Sequence, residues 1–392
     1  MIKISYKKFL KKRKISLIFS IILIAIISFS MINTINAVDI TINSTSSGGL
    51  KKAIETANNG DTILLQNGVY KGKNNTNIFI NKSINIKGKG SKVVIDGERK
   101  NQIMVINENV KVSLSKLKFT NGRAMEELFD RASGAAIDSG GTITVNNCTF
   151  TNHKSSYAGA ISIFGKCTIK NSKFINNSAV VNGGAIQSSS FSELTISKCT
   201  FKDNKANDGG GAIWSQDLTI STCTFTNNKA VNGGAIYSFG VLTVNKCSFK
   251  NNNGGAIYSI EKTIIKTSSF KNNKGSHGGA ISGDGNMTVT SCNFTKNTAK
   301  YHGGAIYAHN ELEYSPQYLG YLTVSKCIFN DNRVAMRGGA IFNKDFKTLK
   351  ITNSQFKKNI AGKIYNAIFS EKGKISMKNV SLSPRDGTKV KK

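Results

Sequence analysis

Carboxylate side chains, which could cleave a polysaccharide, are few in this chain and widely spaced. Glycoside hydrolysis and metal-assisted elimination need converging carboxylates, either two flanking the scissile bond or several holding Ca²⁺ beside a basic group. The 392 residues contain only 22 Asp and Glu. Those in the central and C-terminal parts are scattered over different places relative to the recurring Phe residues, although Asp203 and Asp331 share one. They include Asp138, Glu193, Asp203, Asp208, Asp217, Glu261, Asp284, Asp331 and Asp345. We therefore expect a noncatalytic protein with no catalytic residues, no metal site and no cofactor.

One segment concentrates side chains suited to ligand contact. Tyr307 to Tyr321 form an insertion that contains Pro316, one of two prolines in the chain. Tyr and carboxylate side chains suit contact with carbohydrate or protein, and loops added to a rigid scaffold carry function. The predicted ligand-binding residues are His309, Glu311, Glu313, Tyr314, Tyr318 and Tyr321. A tolerated surface insertion without a ligand is the alternative.

The remaining histidines suggest no site. His277 and His302 each precede Gly-Gly directly, about one repeat apart, and we expect them to stack at a turn.

A sequence repeat must position all of these residues. Gly-Gly-Ala-Ile alternates with Phe-x-x-Asn at a spacing near 24 residues. Its seven intact copies start at Gly183, Gly210, Gly233, Gly254, Gly278, Gly303 and Gly338. Such a period indicates a solenoid, in which each coil buries its apolar face only by stacking on its neighbours.

Within each repeat, apolar and polar residues alternate over three to five positions, which suits strands and is too short for helices. Three short strands fit into a coil of about 24 residues. Stacking equivalent strands predicts an all-β parallel β-helix with columns of Ile, Leu and Phe inside. The paired glycines permit a positive φ and close approach of successive coils, and the Asn of Phe-x-x-Asn is expected to form a ladder of amides.

Cysteine usage resembles a disulfide pattern, but the spacing favours buried free thiols. Six of the seven lie two residues before the recurring Phe that begins Phe-x-x-Asn, called the marker Phe below, and Ser172, Ser268 and Ser354 fill the same place in other repeats. The position therefore calls for a small inward side chain. Parallel, in-register Cβ vectors also suit a disulfide poorly.

Gly-Gly-Ala-Ile alternating with Phe-x-x-Asn resembles the repeats of polymorphic outer-membrane proteins of bacterial surfaces. It resembles still more closely the repeats of adhesin-like proteins of methanogenic archaea. The resemblance covers residues 119 to 382. It implies a right-handed parallel β-helix of the pectin-lyase type, displayed outside the cell.

The two ends of the chain differ from the repeats. A basic stretch precedes the apolar residues 15–32, and Ile35-Asn36-Ala37 offers a cleavage site, so residues 1–37 are predicted to be a signal peptide or an uncleaved signal anchor. Residues 38–118 are predicted to hold an N-terminal cap, with an amphipathic helix near Leu50 to Ala57, and the first coils. The repeat β-helix takes residues 119–382 and a basic tail residues 383–392.

The net charge of the chain and its predicted export indicate which partners the protein is expected to bind. The formal net charge is +32, and lysines near the Phe-x-x-Asn corner are expected to align as a basic stripe that suits polyanionic glycans or cell-wall polymers. A solvated surface without a ligand is the alternative for this stripe. Host or neighbouring-cell surfaces are further candidate partners, no specific nucleic acid is expected, and the membrane is contacted only through the N-terminal segment. Eight Asn-x-Ser/Thr sequons are candidate glycosylation sites.

We predict a secreted or cell-surface adhesin-like or envelope structural protein that contacts glycans or other surface polymers. A polysaccharide lyase or glycoside hydrolase on the same β-helix is the first alternative. A ligand-free structural spacer is the second.

Overall fold

A computed structural model describes residues 37–124, 134–310, 320–362, 367–384 and 387–390. All of these except Ala37 and Val38 lie in the unit Asp39–Lys392. The predicted signal segment lies outside the described residues except for Ala37. Within the described ranges no helix is long and apolar enough to cross a membrane.

The described part of the chain winds as a parallel β-helix, as the repeat predicts. Every pairing between its strands is parallel, and equivalent residues of successive coils face each other: Leu194 is opposite Leu218, which is opposite Leu242. Leu218 and Ile220 point inward and are buried, whereas Thr219 between them is exposed. The period-two alternation of the sequence therefore decides which side chains enter the core.

Among the described residues the largest sheet, sheet 1, has 25 strands. They are Asp39–Ile42, Thr62–Tyr70, Ile84–Asp96, Lys111–Ser115, Lys118–Thr120, Thr142–Asn146, Thr149–Thr151, Lys166–Lys170, Lys173–Ile175, Glu193–Ser197, Thr200–Lys202, Leu218–Ser221, Thr224–Thr226, Leu242–Asn245, Ser248–Lys250, Thr263–Lys266, Ser269–Lys271, Met287–Thr290, Asn293–Thr295, Tyr321–Ser325, Ile328–Asn330, Thr348–Thr352, Gln355–Lys357, Lys374–Lys378 and Ser381–Leu382.

Sheet 2 has 13 strands within the described ranges. They are Ile78–Ile80, Met104–Ile106, Ile137–Ser139, Ile161–Ile163, Ile186–Ser188, Ile213–Ser215, Ile236–Ser238, Ile257–Ser259, Ile281–Gly283, Ile306–Ala308, Ile341–Asn343, Ile368–Ser370 and Thr388–Val390. The last strand falls inside the segment predicted to be a basic tail.

A third face carries two shorter sheets. One consists of Arg123–Ala124, Lys154–Ser155 and Ser178–Ala179, and the other of Lys274–His277, Thr298–His302, Arg333–Val334 and Ile360–Ala361. Isolated parallel β-bridges at Lys205, Lys229 and Asn253 connect these two sheets along the same face.

Each coil turns at residues with left-handed backbone. In the coil that starts at Leu218, Thr222 has φ +55° and Asn227 has φ +56°, and the next Gly-Gly begins at Gly233 with φ +59°. The second glycine of the pair has a different role. A Cβ at Gly211 would lie 2.1 Å from the carbonyl oxygen of Gly234 in the next coil. Both predicted roles of the glycine pair are confirmed.

The marker Phe side chains form one continuous column in the core. Ring centroids of successive members, from Phe119 to Phe356, are 4.7 to 4.9 Å apart with planes within 6° of parallel. This spacing equals the separation of neighbouring strands, so the column stacks because the backbone is in register.

The Asn ladder satisfies every polar group at its corner. Asn228 Nδ2 donates to the Phe201 carbonyl of the preceding coil and to Asn252 Oδ1 of the following coil, both at 3.0 Å. Asn228 Oδ1 in turn accepts from the backbone N–H and the Nδ2 of Asn204, both at 3.0 Å. The same pattern recurs along the buried series from Asn177 to Asn332 and ends at Asn359.

The cysteine column is held by a similar series of hydrogen bonds, in which the sulfur atom both accepts and donates. The backbone N–H of Cys199 donates to Cys223 Sγ at 3.4 Å, and Cys223 Sγ donates to the Ser221 carbonyl at 3.2 Å. At the next serine position, the Cys247 N–H donates to Ser268 Oγ instead. The position therefore needs a small side chain that both donates and accepts, which explains why Cys and Ser alternate there. All seven cysteines are free and buried, and burial raises the pKa of the Cys148 thiol to about 12.

The amphipathic helix α1, Gly49–Thr56, lies at the N-terminal end of the β-helix. It buries Leu50 and Ile54 against the first strands, as its sequence pattern predicts. Lys82 Nζ donates to the carbonyls of Glu55 and Ala57, both at 2.7 Å, and so occupies the C-terminal end of the helix, where a positive charge is favourable.

Replacing one ladder residue tests how much the amide column stabilises the fold. We expect Asn228→Ala to lower the free energy of unfolding by about 3 kcal/mol or more, because it leaves the buried N–H groups of Asn204 without their acceptor. The exposed neighbour Lys229→Ala should change it by less than about 0.5 kcal/mol. Urea unfolding followed by circular dichroism measures both, and equal effects would contradict a stabilising ladder.

His153 occupies the ladder position one coil before Asn177, where its Nδ1 accepts from the Gly122 N–H at 2.9 Å. Burial lowers its pKa to about 3, whereas an unfolded His has a pKa of about 6.5. Between these values the unfolded chain binds more protons, so stability falls on acidification, by up to about 1.4 kcal/mol per pH unit from this group. We expect His153→Asn, whose Oδ1 can replace Nδ1, to remove this dependence between pH 6.5 and 4. Parallel stability curves for the two proteins would refute the assignment.

Candidate functional site

The outer face of sheet 2 carries a column of aromatic side chains at the position directly after Gly-Gly-Ala-Ile, which is aromatic in five of the seven intact copies. In-register pairing places Trp214 opposite Tyr237 and Tyr237 opposite Tyr258. The Tyr237 and Tyr258 ring centroids lie 4.9 Å apart. These three half-buried side chains, Trp214, Tyr237 and Tyr258, are called the aromatic stripe below.

The aromatic column is interrupted at Ser282. Its neighbours are Tyr258 in the preceding coil and Tyr307 in the following one. The imidazole of His309 lies against this small side chain, with Nε2 3.1 Å from Ser282 Oγ. It also stacks on Tyr307 with ring centroids 4.4 Å apart. A tyrosine at position 282 would continue the column and compete with the His309 ring for this space.

Asp284 completes a buried cluster with Ser282 and His309. Its Oδ1 lies 2.6 Å from His309 Nδ1, and its Oδ2 accepts from the Tyr258 hydroxyl at 3.3 Å. A carboxylate at Nδ1 requires the proton of a neutral imidazole to be there, which leaves Nε2 as the acceptor for the Ser282 hydroxyl. Ser282, Asp284 and His309 are 6%, 5% and 2% exposed. These contacts hold the imidazole ring in place, and a carboxylate beside Nδ1 favours the tautomer with its proton there.

A pocket of about 170 Å³ opens beside this cluster. Ser282 and His309 form part of its wall, together with Tyr258, Tyr307, His277 and Asn232. Asp284 is not among the lining residues and lies behind His309. A molecule in the pocket would therefore contact the Ser282 hydroxyl and the His309 imidazole, and not the Asp284 carboxylate.

The predicted stacking of His277 and His302 is confirmed. Their ring centroids are 5.4 Å apart, and His302 also stacks on Phe342 at 4.4 Å. Burial, and to a smaller extent the charge of the neighbouring His277, lowers the pKa of His302 to about 4. His302 is therefore neutral at neutral pH, as part of a packed aromatic group.

The structure places the predicted ligand-binding residues in different surroundings. His309 is buried in the three-residue cluster, whereas Tyr321 is 47% exposed and begins a strand of sheet 1. Glu311, Glu313, Tyr314 and Tyr318 lie outside the described residues. The ligand-binding role of these side chains stays a prediction.

The sequence analysis missed Ser282, Asp284 and the aromatic stripe. A usable signal existed, because the residue after each Gly-Gly-Ala-Ile is aromatic in five of the seven intact copies. In order, these residues are Gln187, Trp214, Tyr237, Tyr258, Ser282, Tyr307 and Phe342. Aligning the copies would have shown both the column and its interruption at Ser282.

Basic side chains align on the third face, although with interruptions. Lys205 pairs with Lys229, which pairs with Asn253 and then Lys274. On sheet 1, Lys250 lies opposite Lys271. The column Lys205, Lys229 and Lys274, called the basic column below, directly precedes the turns that lead into sheet 2.

Comparison with known proteins agrees with this architecture. The family model described as right handed beta helix region matches residues 42–259 and 212–374. One solved structure, described as a mannuronic acid specific polysaccharide family 6 lyase from human gut microbiota, is similar at a TM-score of 0.51 and 12% identity. The similarity covers 87% of this chain and 83% of that one. No curated protein matches the sequence significantly.

This comparison corrects the expectation that the protein is noncatalytic. A chain with a similar β-helix is a polysaccharide lyase, so the scaffold is one that supports catalysis. The expectation rested on the scatter of acidic residues along the sequence. In-register stacking, however, joins residues one coil apart, such as Asp284 and His309, which no local motif reveals.

The family model spans nearly the whole of the described β-helix. With the in-register columns of Phe and Asn, this shows that the chain belongs to the right-handed β-helix family.

Proposed function

We propose that this chain is an exported surface protein that binds an acidic polysaccharide along the outer face of sheet 2. The aromatic stripe is the observation that carries the proposal. Pyranose rings present apolar C–H faces that pack on aromatic rings, while their hydroxyls need polar partners nearby. Trp214, Tyr237 and Tyr258 offer such a surface at the spacing of successive coils.

Polar groups beside the aromatic stripe support a carbohydrate ligand. The Asp208 carboxylate is close enough to Tyr237 to raise its pKa, after the larger effect of burial. Asn182 borders the same edge, where its Oδ1 accepts from the Gly209 N–H at 2.9 Å. A mixture of aromatic rings and hydrogen-bonding side chains is typical of surfaces that bind sugars and other polar ligands.

Charge favours an acidic polymer over a neutral one. The chain has 54 Lys and Arg against 22 Asp and Glu, and the basic column lies next to the turns that lead into sheet 2. A surface of this sign attracts polyanions and raises their association rate at low salt. The lysine-rich N-terminus followed by an apolar run supports export, and the resemblance to adhesin-like proteins supports display on the cell surface.

Alanine substitution in the aromatic stripe tests the proposal. We expect Trp214→Ala to weaken binding of polyuronate oligosaccharides about tenfold, or about 1.4 kcal/mol, because the largest stacking surface is lost. Phe191→Ala removes an aromatic side chain that is 95% exposed outside the stripe, and it should bind as the parent does. Isothermal titration calorimetry gives both affinities.

The same titration at rising salt concentration tests the charge argument. Affinity for the polyuronate should fall as salt screens the lysines. Equal affinities for Trp214→Ala and Phe191→Ala, or no binding of any polyuronate by the parent, would contradict the proposal.

Cleavage of the bound polysaccharide is the second candidate. The specific observation is that Tyr258, His277 and His309 line one pocket at the end of the aromatic stripe, since imidazole and phenol side chains serve as general acids and bases. A lyase would generate unsaturated sugar ends that absorb ultraviolet light. A hydrolase would release reducing ends without that absorbance.

A further inference from the structure

We propose that Ser282, His309 and Asp284 form a serine acyl-transfer site that hydrolyses O-acyl esters carried by a polysaccharide. The proposal rests on the proposed function for the identity of the polymer, and on the geometry of the cluster for the chemistry. Its distances are 3.1 Å from Ser282 Oγ to His309 Nε2 and 2.6 Å from His309 Nδ1 to Asp284 Oδ1. Nucleophile, base and orienting carboxylate are thus connected in the order that activates a hydroxyl.

Stacking of two coils produces this arrangement. Ser282 and Asp284 flank Gly283 in one coil, on the outward side of the sheet. The backbone N–H of His309 in the next coil donates to the Gly283 carbonyl at 3.0 Å. With its backbone anchored there and its ring stacked on Tyr307, the imidazole can lie between the hydroxyl and the carboxylate. The orientation is therefore built in before any ligand binds.

The pocket wall favours acyl transfer over cleavage of a glycosidic bond. Ser282 and His309 line it, while no carboxylate and no Lys or Arg does so among the described residues. Glycoside hydrolysis needs two carboxylates at the sugar, and elimination next to a uronate needs a cation on its carboxylate. Acyl transfer needs a hydroxyl nucleophile and a base, both of which are present. Asn232 in the same wall offers an amide N–H, the kind of donor that stabilises the oxyanion.

The position of the pocket indicates where the ester would be. It lies beside Tyr258, the last member of the aromatic stripe, and Ser282 is one coil further along the same face. A polysaccharide stacked on Trp214 and Tyr237 would carry its next residues over Tyr258 and Ser282. An acyl group on such a residue can enter the pocket while the sugar remains on the surface.

The reaction balances with water as the second reactant. The Ser282 hydroxyl proton passes to His309 Nε2 while Oγ bonds to the ester carbonyl carbon. The bond from that carbon to the sugar oxygen then breaks, and the sugar oxygen takes the proton from Nε2. Water next gives a proton to Nε2 and its oxygen bonds to the acyl carbon. The bond to Oγ breaks and Oγ takes the proton back, so that one alcohol and one carboxylic acid are released.

The test uses the purified full-length chain with p-nitrophenyl acetate and with an O-acetylated polyuronate, measuring nitrophenol and acetate. The parent should turn over both, and Ser282→Ala should lower kcat/KM by about 10³-fold or more. Ser190→Ala is the matched control, because Ser190 is exposed and does not line the pocket, and its activity should stay within about twofold of the parent. A fluorophosphonate should form an adduct that mass spectrometry maps to Ser282.

Asp284 acts as a positioning residue, and its role has its own readout. Asp284→Asn should lower kcat for p-nitrophenyl acetate by about 10³-fold while KM stays nearly constant, because the wrong imidazole tautomer is favoured. A purely structural role would instead lower the melting temperature and leave kcat of the folded protein unchanged.

Two results would overturn the inference. One is a folded parent that releases acetate from neither ester and forms no adduct at Ser282, a measurement that does not depend on any variant folding. The other is Ser282→Ala with parental activity. Binding to de-O-acetylated polyuronate separates the two proposals: binding without ester hydrolysis removes the acyl-transfer site alone, and hydrolysis of p-nitrophenyl acetate without binding removes the polysaccharide alone.

Discussion

The in-register stacking of one coil on the next is the constraint on which the rest of the structure depends. Parallel strands hold equivalent residues at a separation of about 4.8 Å, and the Phe and Asn columns require that separation to be kept along the whole length. A register error of one residue would turn the Phe side chains outward and separate each Asn from its partner. The repeat therefore specifies register at several positions of each coil at once.

Hydrogen bonding explains why the fixed positions tolerate so few residue types. The Asn amide uses both of its donors and accepts two bonds at its oxygen, and its partners are the neighbouring Asn residues and one Phe carbonyl. Cys and Ser exchange freely in their column because each offers one donor and one acceptor at the γ atom. His153 fits the ladder only while it is neutral, since burial lowers its pKa to about 3.

The sequence predicts the fold well because the fold repeats. Alternation, glycine pairs and the Phe-x-x-Asn spacing are local signals that recur in phase, and each predicts the same coil. The cluster at Ser282 could not be predicted in this way. Its members differ from the residues at the equivalent positions of neighbouring coils. Their contacts also join residues that are 25 or 27 positions apart in the sequence. The criterion of converging carboxylates also fails to select Asp284 as a site residue, because its partner is the His309 imidazole and not a second acid.

Coil length varies in this molecule without interrupting the Phe column. The step between successive marker Phe residues ranges from 21 to 35, yet the Phe rings stay stacked across the shortest and the longest steps. The turns between columns absorb the difference. A whole coil gained or lost by duplication or deletion would consequently change the length of the rod by one strand spacing and preserve every column. Evolution can thus adjust how far the pocket stands from either end without redesigning it.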